Sequence, residues 1–200
     1  MPEALKAGDH GDDEAVLRES RMKWPSKWMS AVLAVVAVAA LLAVPLPGPV
    51  NLPTRIATVI SIERPDTVVF DYVTTPAHWP RWHPSSLSVR GAIDHSLNVG
   101  EQVAEEFRVA GRRGSVLWTV AVRDRPRKWA IVGTIDGKPA GTVSYALTPV
   151  ASGTRFEREF VYRAPTLWFA VLNVLFVRTR IQQESDEAVA RLKKALETMP

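Results

Sequence analysis

The chain has 200 residues, of which 46% are hydrophobic, and a formal net charge of +4. This length fits one globular domain with an appendage, and no segment is basic enough to make nucleic acid the expected partner. The chain has no cysteine, which excludes disulfide bonds, thiol catalysis and a zinc site built on cysteine.

Residues 1–20 are rich in Gly, Asp, Glu and Ala, and their apolar residues follow no period. Such a segment cannot bury enough apolar surface to offset its chain entropy. We therefore predict that residues 1–27 form a disordered tail.

Residues 28–46 are the most apolar stretch of the chain, and Met29 to Val44 contains no charged residue. About eighteen residues at roughly 1.5 Å each nearly cross a hydrocarbon core of about 30 Å, so we predict a transmembrane helix over residues 28–46. A cleaved signal peptide and a buried core helix are the alternatives. The proline-rich residues 47–54 are typical of a stiff, extended linker.

The charges around this stretch predict its orientation. Arg55 is the first charged residue after it, whereas the segment before it is basic, with Arg18, Arg21, Lys23 and Lys27. The positive-inside bias places the N-terminus in the cytoplasm and the C-terminal domain on the outer side. We therefore expect a single-pass protein of the cell membrane that contacts the lipid bilayer through residues 28–46.

Most of the remaining chain alternates between apolar and polar residues, which is typical of short strands. Thr67 to Thr74 is instead predicted to be a short helix, and Pro76 to Pro84 a rigid helical turn and loop, because three prolines there prevent a long helix or a central strand. Asp136-Gly137 is typical of a hairpin turn. Strands are predicted over residues 55–62, 87–93, 101–109, 115–123, 128–135, 140–148 and 154–163.

The last segment, Thr166 to Glu197, has helical spacing of its apolar residues. Pro165 and Thr166 provide a helix start, because proline cannot continue a helix backwards and the threonine hydroxyl can cap its first turn. The predicted apolar stripe comprises Ile181, Ser185, Ala188, Val189, Leu192, Ala195 and Leu196. One amphipathic helix after a run of strands predicts an antiparallel sheet bent around that helix, with a pocket between them.

Several motifs in this order resemble those of the START-like superfamily, also called SRPBCC or polyketide cyclase/dehydrase. They are Pro65-Asp66-Thr67-Val68-Val69-Phe70, the turn Trp79 to Pro84, Gly153-Thr154-Arg155, and Leu192 to Glu197. The resemblance covers about residues 55–197. It implies an α+β helix-grip fold, in which a curved antiparallel β-sheet wraps around the long C-terminal α-helix and leaves a hydrophobic cavity. Residues 55–200 are thus expected to form a START-like domain that binds a hydrophobic ligand.

Strand alternation predicts which side chains face that cavity, because the large apolar residues of each strand share one parity. Val122 and Ile135 are also placed on this inner face. Trp79 and Trp82 either roof the cavity or fill the core. The candidate ligand-cavity residues are Trp79, Trp82, Phe107, Trp118, Trp129, Tyr145, Phe156, Arg158, Phe160 and Tyr162.

Two charged residues, Glu105 and Arg158, fall on the predicted inner face. Because burying either charge alone is costly, we expect them to pair or to approach a water-filled cavity, unless a twist or bulge turns one to solvent. With His83 and Tyr145 they are the candidate catalytic residues. A metal site is not expected, since the histidines lack ligand spacing, and no cofactor is expected.

The resulting hypothesis is a membrane-anchored binding protein for a hydrophobic small molecule, either a lipid or a polyketide-like compound. The first alternative is a cyclase, dehydratase or hydrolase that uses Glu105, His83, Tyr145 or Arg158. The second is a ligand-free interaction or scaffold domain. Leu167 to Val177, which is apolar on nearly every side, is either core or a membrane-dipping segment.

Overall fold

The computed structural model describes residues 26–48 and 51–199. The chain divides into two compact units, one ending at Leu41 and the other beginning at Leu42. The predicted tail, residues 1–27, lies almost wholly outside the described residues, and its last two residues begin the first helix.

The first helix, α1, spans Ser26–Ala43 and has 18 residues. Within the described ranges, no helix is long and apolar enough to cross a membrane. The predicted transmembrane helix over residues 28–46 is therefore not supported; the helix ends before Pro45 and Pro47, where proline limits its extension.

The second unit contains one seven-stranded antiparallel sheet with the strand order β1-β7-β6-β5-β4-β3-β2. Each strand from β2 to β6 pairs with the next strand in the sequence, and β1 forms the sheet edge beside β7. The predicted meander is confirmed. The strands are β1 Thr54–Ile62, β2 Ser86–Gly91, β3 Gln102–Val109, β4 Arg112–Asp124, β5 Lys128–Ile135, β6 Lys138–Val150 and β7 Gly153–Tyr162.

Between β1 and β2 the chain forms α2, Asp66–Thr74, a 3₁₀ turn, Pro76–His78, and α3, Trp79–Trp82. The predicted compact turn is thus one short α-helix preceded by the 3₁₀ turn. Pro76 and Pro80 fit at the starts of these short helices, where their missing N–H groups are not needed.

The C-terminal rod contains α4, Leu167–Leu172, a π-helical turn, Asn173–Val177, and α5, Arg178–Glu197. Thr166 caps it as predicted, since its hydroxyl accepts a hydrogen bond from the Phe169 amide. The buried residues of α5 match the apolar stripe read from the sequence: Ile181, Ser185, Ala188, Val189, Leu192 and Leu196. Helix α5 packs chiefly against β1, and this arrangement is the helix grip.

The predicted extended linker is fastened to the domain. Within the linker, Asn51 Nδ2 donates to the Ala164 carbonyl over 2.7 Å, and just before the linker the Val44 carbonyl accepts a hydrogen bond from the Leu167 amide. The described residues of this segment are thus tied to the start of the C-terminal rod.

The register places the predicted inner residues on one face, with two exceptions. Val122 is 37% exposed and follows a bulge in the pairing of β4 with β5, and Ile135 is 36% exposed after a register shift between β5 and β6. A bulge adds a residue to one strand and changes the parity beyond it. Both residues were therefore wrongly placed on the inner face. The predicted Asp136-Gly137 turn is confirmed, with positive φ at both residues.

Three glycines on the inner face make room for aromatic rings. A Cβ at Gly133 would lie 2.6 Å from Cζ3 of Trp118. A Cβ at Gly114 would likewise clash with the ring of Phe107, and a Cβ at Gly141 with the ring of Phe160. Each ring therefore occupies the space that a side chain on the neighbouring strand would otherwise fill.

Candidate functional site

A layer of polar side chains crosses the interior between the sheet and α5. Thr58 of β1 lies opposite Arg158 of β7, and Arg158 lies opposite Tyr145 of β6. Ser185 of α5 completes the layer, since its hydroxyl lies 3.3 Å from Oγ1 of Thr58. One apolar cluster, around Ile181, lies on one side of this layer, and the main core lies on the other.

Arg158 is at the centre of the layer and is 6% exposed. Its Nη1 donates to Oγ of Ser185 over 2.7 Å, and its Nη2 lies 2.9 Å from Nε2 of His83, the residue that follows α3. Burial lowers the pKa of Arg158, but an arginine keeps its charge in proteins. No carboxylate pairs directly with this guanidinium among the ion pairs of the described residues.

His83 must be neutral to accept from Arg158. A guanidinium has only donors, so Nε2 carries the lone pair and the proton sits on Nδ1. Burial lowers the pKa of His83 well below its usual value, and the charge of Arg158 lowers it further. The site therefore holds a neutral imidazole with a defined tautomer.

Glu105 of β3 lies on the same face, as predicted, but does not form an ion pair with Arg158. Its Oε2 instead accepts from Nε1 of Trp118 over 2.7 Å. Burial raises the pKa of Glu105, against the opposing effects of Ser86, Trp118 and the charge of Arg158. The expected Glu105–Arg158 pair is corrected to a longer-range electrostatic interaction, because the Trp118 indole takes the carboxylate.

Tyr145 connects the polar layer to a group of stacked aromatic rings. Burial raises its pKa to about 12, against the lowering effect of Arg158. Its ring centroid lies 5.2 Å from that of Trp129, 5.1 Å from that of Phe156 and 6.4 Å from that of Trp82. The hydroxyl is therefore protonated at neutral pH and lies beside the buried guanidinium.

Several buried polar atoms around this layer have no hydrogen-bond partner among the described residues. Buried polar groups in proteins are nearly always paired, so such a concentration is unusual. All can donate a hydrogen bond: Nε1 of Trp82, Nδ1 of His83, Nε1 of Trp129 and Nε of Arg158.

The ten predicted cavity residues all lie on the inner face or above it, but they do not form one site. Trp79 fills the core and donates from Nε1 to the Val73 carbonyl over 2.9 Å. Tyr162 stacks on Phe160 and donates to Asn173, beyond the polar layer. Phe107 and Phe160 remain partly exposed. The residues at or beside the layer are Trp82, Trp118, Trp129, Tyr145, Phe156 and Arg158.

The space between the sheet and α5 is occupied by these side chains. A surface depression of about 290 Å³ lies elsewhere, along the outer side of α5, and is lined by Ala190, Lys193, Lys194, Glu197 and Thr198. Where the sequence predicted a hydrophobic cavity, the Tyr145 ring packs against the rings of Trp82, Trp129 and Phe156.

Sequence reasoning did not identify Thr58, Ser185 and Ser86 as site residues. The available signal was a small polar residue at a core position of β1 and of the α5 stripe, since buried hydroxyls require partners. Within the described residues, no three His, Asp or Glu side chains are arranged to hold a metal ion.

The chain resembles several known proteins over this unit. The sequence profile described as "Polyketide cyclase / dehydrase and lipid transport" matches residues 53–197. A comparison with curated proteins gives no significant match.

Solved structures resemble its fold. A protein from Rhodobacter sphaeroides has a TM-score of 0.57 at 17% identity, over 74% of this chain and 94% of that one. Ms6760 from Mycobacterium smegmatis has a TM-score of 0.53 at 20% identity, over 74% and 92%. DynU16, from the dynemicin biosynthetic locus, has a TM-score of 0.53 at 16% identity, over 72% and 47%. At these identities the likeness concerns the fold alone.

Proposed function

Since the chain belongs to the polyketide cyclase/dehydrase and lipid transport family, we propose that its helix-grip domain binds a small hydrophobic molecule carrying an acceptor oxygen. The molecule is a lipid or a polyketide-like compound. Its apolar part lies among the aromatic rings, and its oxygen accepts hydrogen bonds at the polar layer around Arg158.

The observation that carries this proposal is the group of buried donors without acceptors. Each buried donor left unpaired costs about 1–3 kcal/mol, so a core that serves stability alone gains nothing by keeping them. A carbonyl, carboxylate or phenolate oxygen beside Nε of Arg158 or Nδ1 of His83 would be such an acceptor. This also argues against the ligand-free scaffold.

The aromatic rings supply the apolar part of the site. Trp82 and Trp129 are almost fully buried, and both carry an unpaired indole N–H. Because the rings touch one another, a ligand enters by displacing at least one of them. Removing apolar surface from water yields about 25 cal/mol per Å², which favours this exchange for a poorly soluble molecule.

Native mass spectrometry of the purified full-length protein tests the proposal. We expect a bound compound with an apolar body and at least one oxygen, and we expect Arg158→Met to reduce its occupancy. Arg155→Met is the matched control, because Arg155 lies on the same strand but is exposed. Absence of any bound compound, together with no binding of added 2-naphthoate, would contradict the proposal.

A second candidate function is proton-transfer catalysis in the same site. It is favoured by Glu105, whose pKa is raised by burial towards the range in which a carboxyl can exchange protons. In this reading Arg158 stabilises negative charge on a substrate oxygen while Glu105 transfers the proton. Glu105→Gln would abolish turnover of the bound compound without changing its affinity, whereas Glu106→Gln, the exposed neighbour, would preserve both.

A further inference from the structure

The C-terminal rod has an exposed apolar surface at its start. Five large hydrophobic residues of α4 and the π-helical turn are between 39% and 81% exposed. We call this the α4 surface, and it consists of Trp168, Val171, Val174, Leu175 and Phe176. Single exposed apolar residues are common, but a cluster of this kind typically marks a contact site.

The opposite side of the same segment explains why these residues face outwards. Asn173 is 7% exposed, accepts from the Tyr162 hydroxyl over 2.5 Å and donates to Oγ1 of Thr54 over 2.9 Å. Phe169 and Val177, four residues away on either side, pack against the apolar cluster around Ile181. Because this inner side is anchored by hydrogen bonds and packing, the α4 surface cannot rotate inwards.

The charged residues nearest to the α4 surface along the chain are all basic. Arg163 and Arg178 flank it in sequence and are exposed, and Arg180 follows, paired with Glu184. No acidic residue occurs between Glu159 and Glu184. An apolar helix face that carries tryptophan and phenylalanine and has a basic border is complementary to a bilayer of anionic lipids.

We propose that the α4 surface docks on an anionic lipid bilayer. The aromatic and aliphatic side chains enter the boundary between headgroups and acyl chains, and the flanking arginines contact lipid phosphates. This contact involves neither α1 nor the polar layer, so it stands independently of the proposed ligand. A protein partner or a second copy of the chain would require an acidic border to match these arginines.

Vesicle co-sedimentation of the full-length protein tests this proposal. Vesicles of phosphatidylglycerol with phosphatidylcholine are compared with vesicles of phosphatidylcholine alone. The variant Val174→Ser/Leu175→Ser/Phe176→Ser is expected to bind anionic vesicles at least tenfold more weakly. The control Leu117→Ser/Val132→Ser, which removes exposed apolar residues from the sheet, is expected to bind as the wild type does.

Substitutions of single arginines test the electrostatic contribution to vesicle binding. Arg178→Gln is expected to weaken binding to anionic vesicles about fivefold, the effect of one basic residue at such a surface. Arg127→Gln, an exposed arginine in the turn between β4 and β5, is expected to leave it unchanged. Circular dichroism verifies that each variant is folded.

Three results would overturn the proposal. The wild type fails to bind anionic vesicles, or the triple serine variant binds them as well as the wild type does. Alternatively, light scattering shows a dimer that the triple serine variant abolishes, which would assign the surface to a second copy of the chain.

Discussion

The imidazole of His83 and the guanidinium of Arg158 lie 2.9 Å apart in the interior, joined by a hydrogen bond that only a neutral histidine can accept. The pair connects the loop after α3 to the last strand. Among the described residues, Nδ1 of His83 and Nε of Arg158 have no acceptor. In the binding site that we propose, a ligand oxygen accepts hydrogen bonds from these two N–H groups.

The first prediction concerns the protonation of His83. Burial and Arg158 hold its pKa well below the usual value of 6.5, whereas Asp94 and Glu101 raise the pKa of exposed His95. Nitrogen NMR of the imidazoles is expected to show a neutral His83 with its proton on Nδ1 at pH 5.5, while His95 is protonated. A protonated His83 at that pH would exclude the hydrogen bond from Arg158.

The second prediction concerns the dependence of the free energy of unfolding on pH. The unfolded state protonates His83 as pH falls through about 6.5, and the folded state does not, so this residue destabilises the fold as pH falls below that value. His83→Gln, whose carbonyl can still accept from Arg158, is expected to flatten the fall in unfolding free energy below pH 6.5. Urea unfolding at several pH values measures this, and an unchanged profile would contradict it.

The third prediction concerns Glu105, whose effect on the free energy of unfolding changes with pH in the opposite direction. A carboxyl with a raised folded pKa stabilises the folded state relative to the unfolded one at low pH, and this contribution is lost as pH rises from about 4.5 through the folded pKa. Glu105→Gln, which keeps an acceptor for Trp118, is expected to remove that loss. Glu106→Gln serves as the control, and the same pH dependence in both variants would refute the prediction.

The general fold could be predicted from the sequence because its signals are local. The alternation of the strands, the Asp136-Gly137 turn and the spacing of the last helix depend on neighbouring residues. Val122 and Ile135 were misplaced because bulges shift parity without a clear mark in one sequence. The C-terminal end of α1 was placed at residue 46, whereas the helix ends at Ala43 because prolines limit it there.

The site could be predicted only as a set of residue types. All four candidates, Glu105, His83, Tyr145 and Arg158, do reach the same interior. Their pairing was not predictable, because it depends on the approach of α3 and α5 to the sheet: His83 reaches Arg158 across 75 positions, and Trp118 takes the Glu105 carboxylate. Packing of the aromatic rings likewise depends on three-dimensional contacts.

The fourth prediction tests the glycine positions beneath the aromatic rings. Gly133→Ala would place a Cβ 2.6 Å from the Trp118 ring. Overpacking of this kind costs about 1–3 kcal/mol, so thermal and urea unfolding are expected to show that loss. Gly48→Ala, whose Cβ would meet no atom within 4 Å, is the control and is expected to show no loss. Equal stability of both variants would mean that the Trp118 ring is free to move.

The fifth prediction concerns the anchor of the α4 surface. Asn173→Leu leaves the buried Tyr162 hydroxyl without its acceptor, which costs about 1–3 kcal/mol. Adding Tyr162→Phe to Asn173→Leu is expected to recover part of this loss, because the unpaired hydroxyl is then absent. A double-mutant cycle by urea unfolding measures the coupling. Strictly additive losses would show that the two side chains do not interact.

The most direct test of the ligand site compares two molecules of similar shape, 2-naphthoate and 2-ethylnaphthalene, by quenching of tryptophan fluorescence. A hydrogen bond to a charged group is worth about 1.5–3 kcal/mol, so the wild type and the Arg155→Met control should prefer 2-naphthoate by at least about tenfold. Arg158→Met should lose that preference. Equal affinity for the two molecules in the wild type, or a preference that survives in Arg158→Met, would contradict an acceptor site at Arg158.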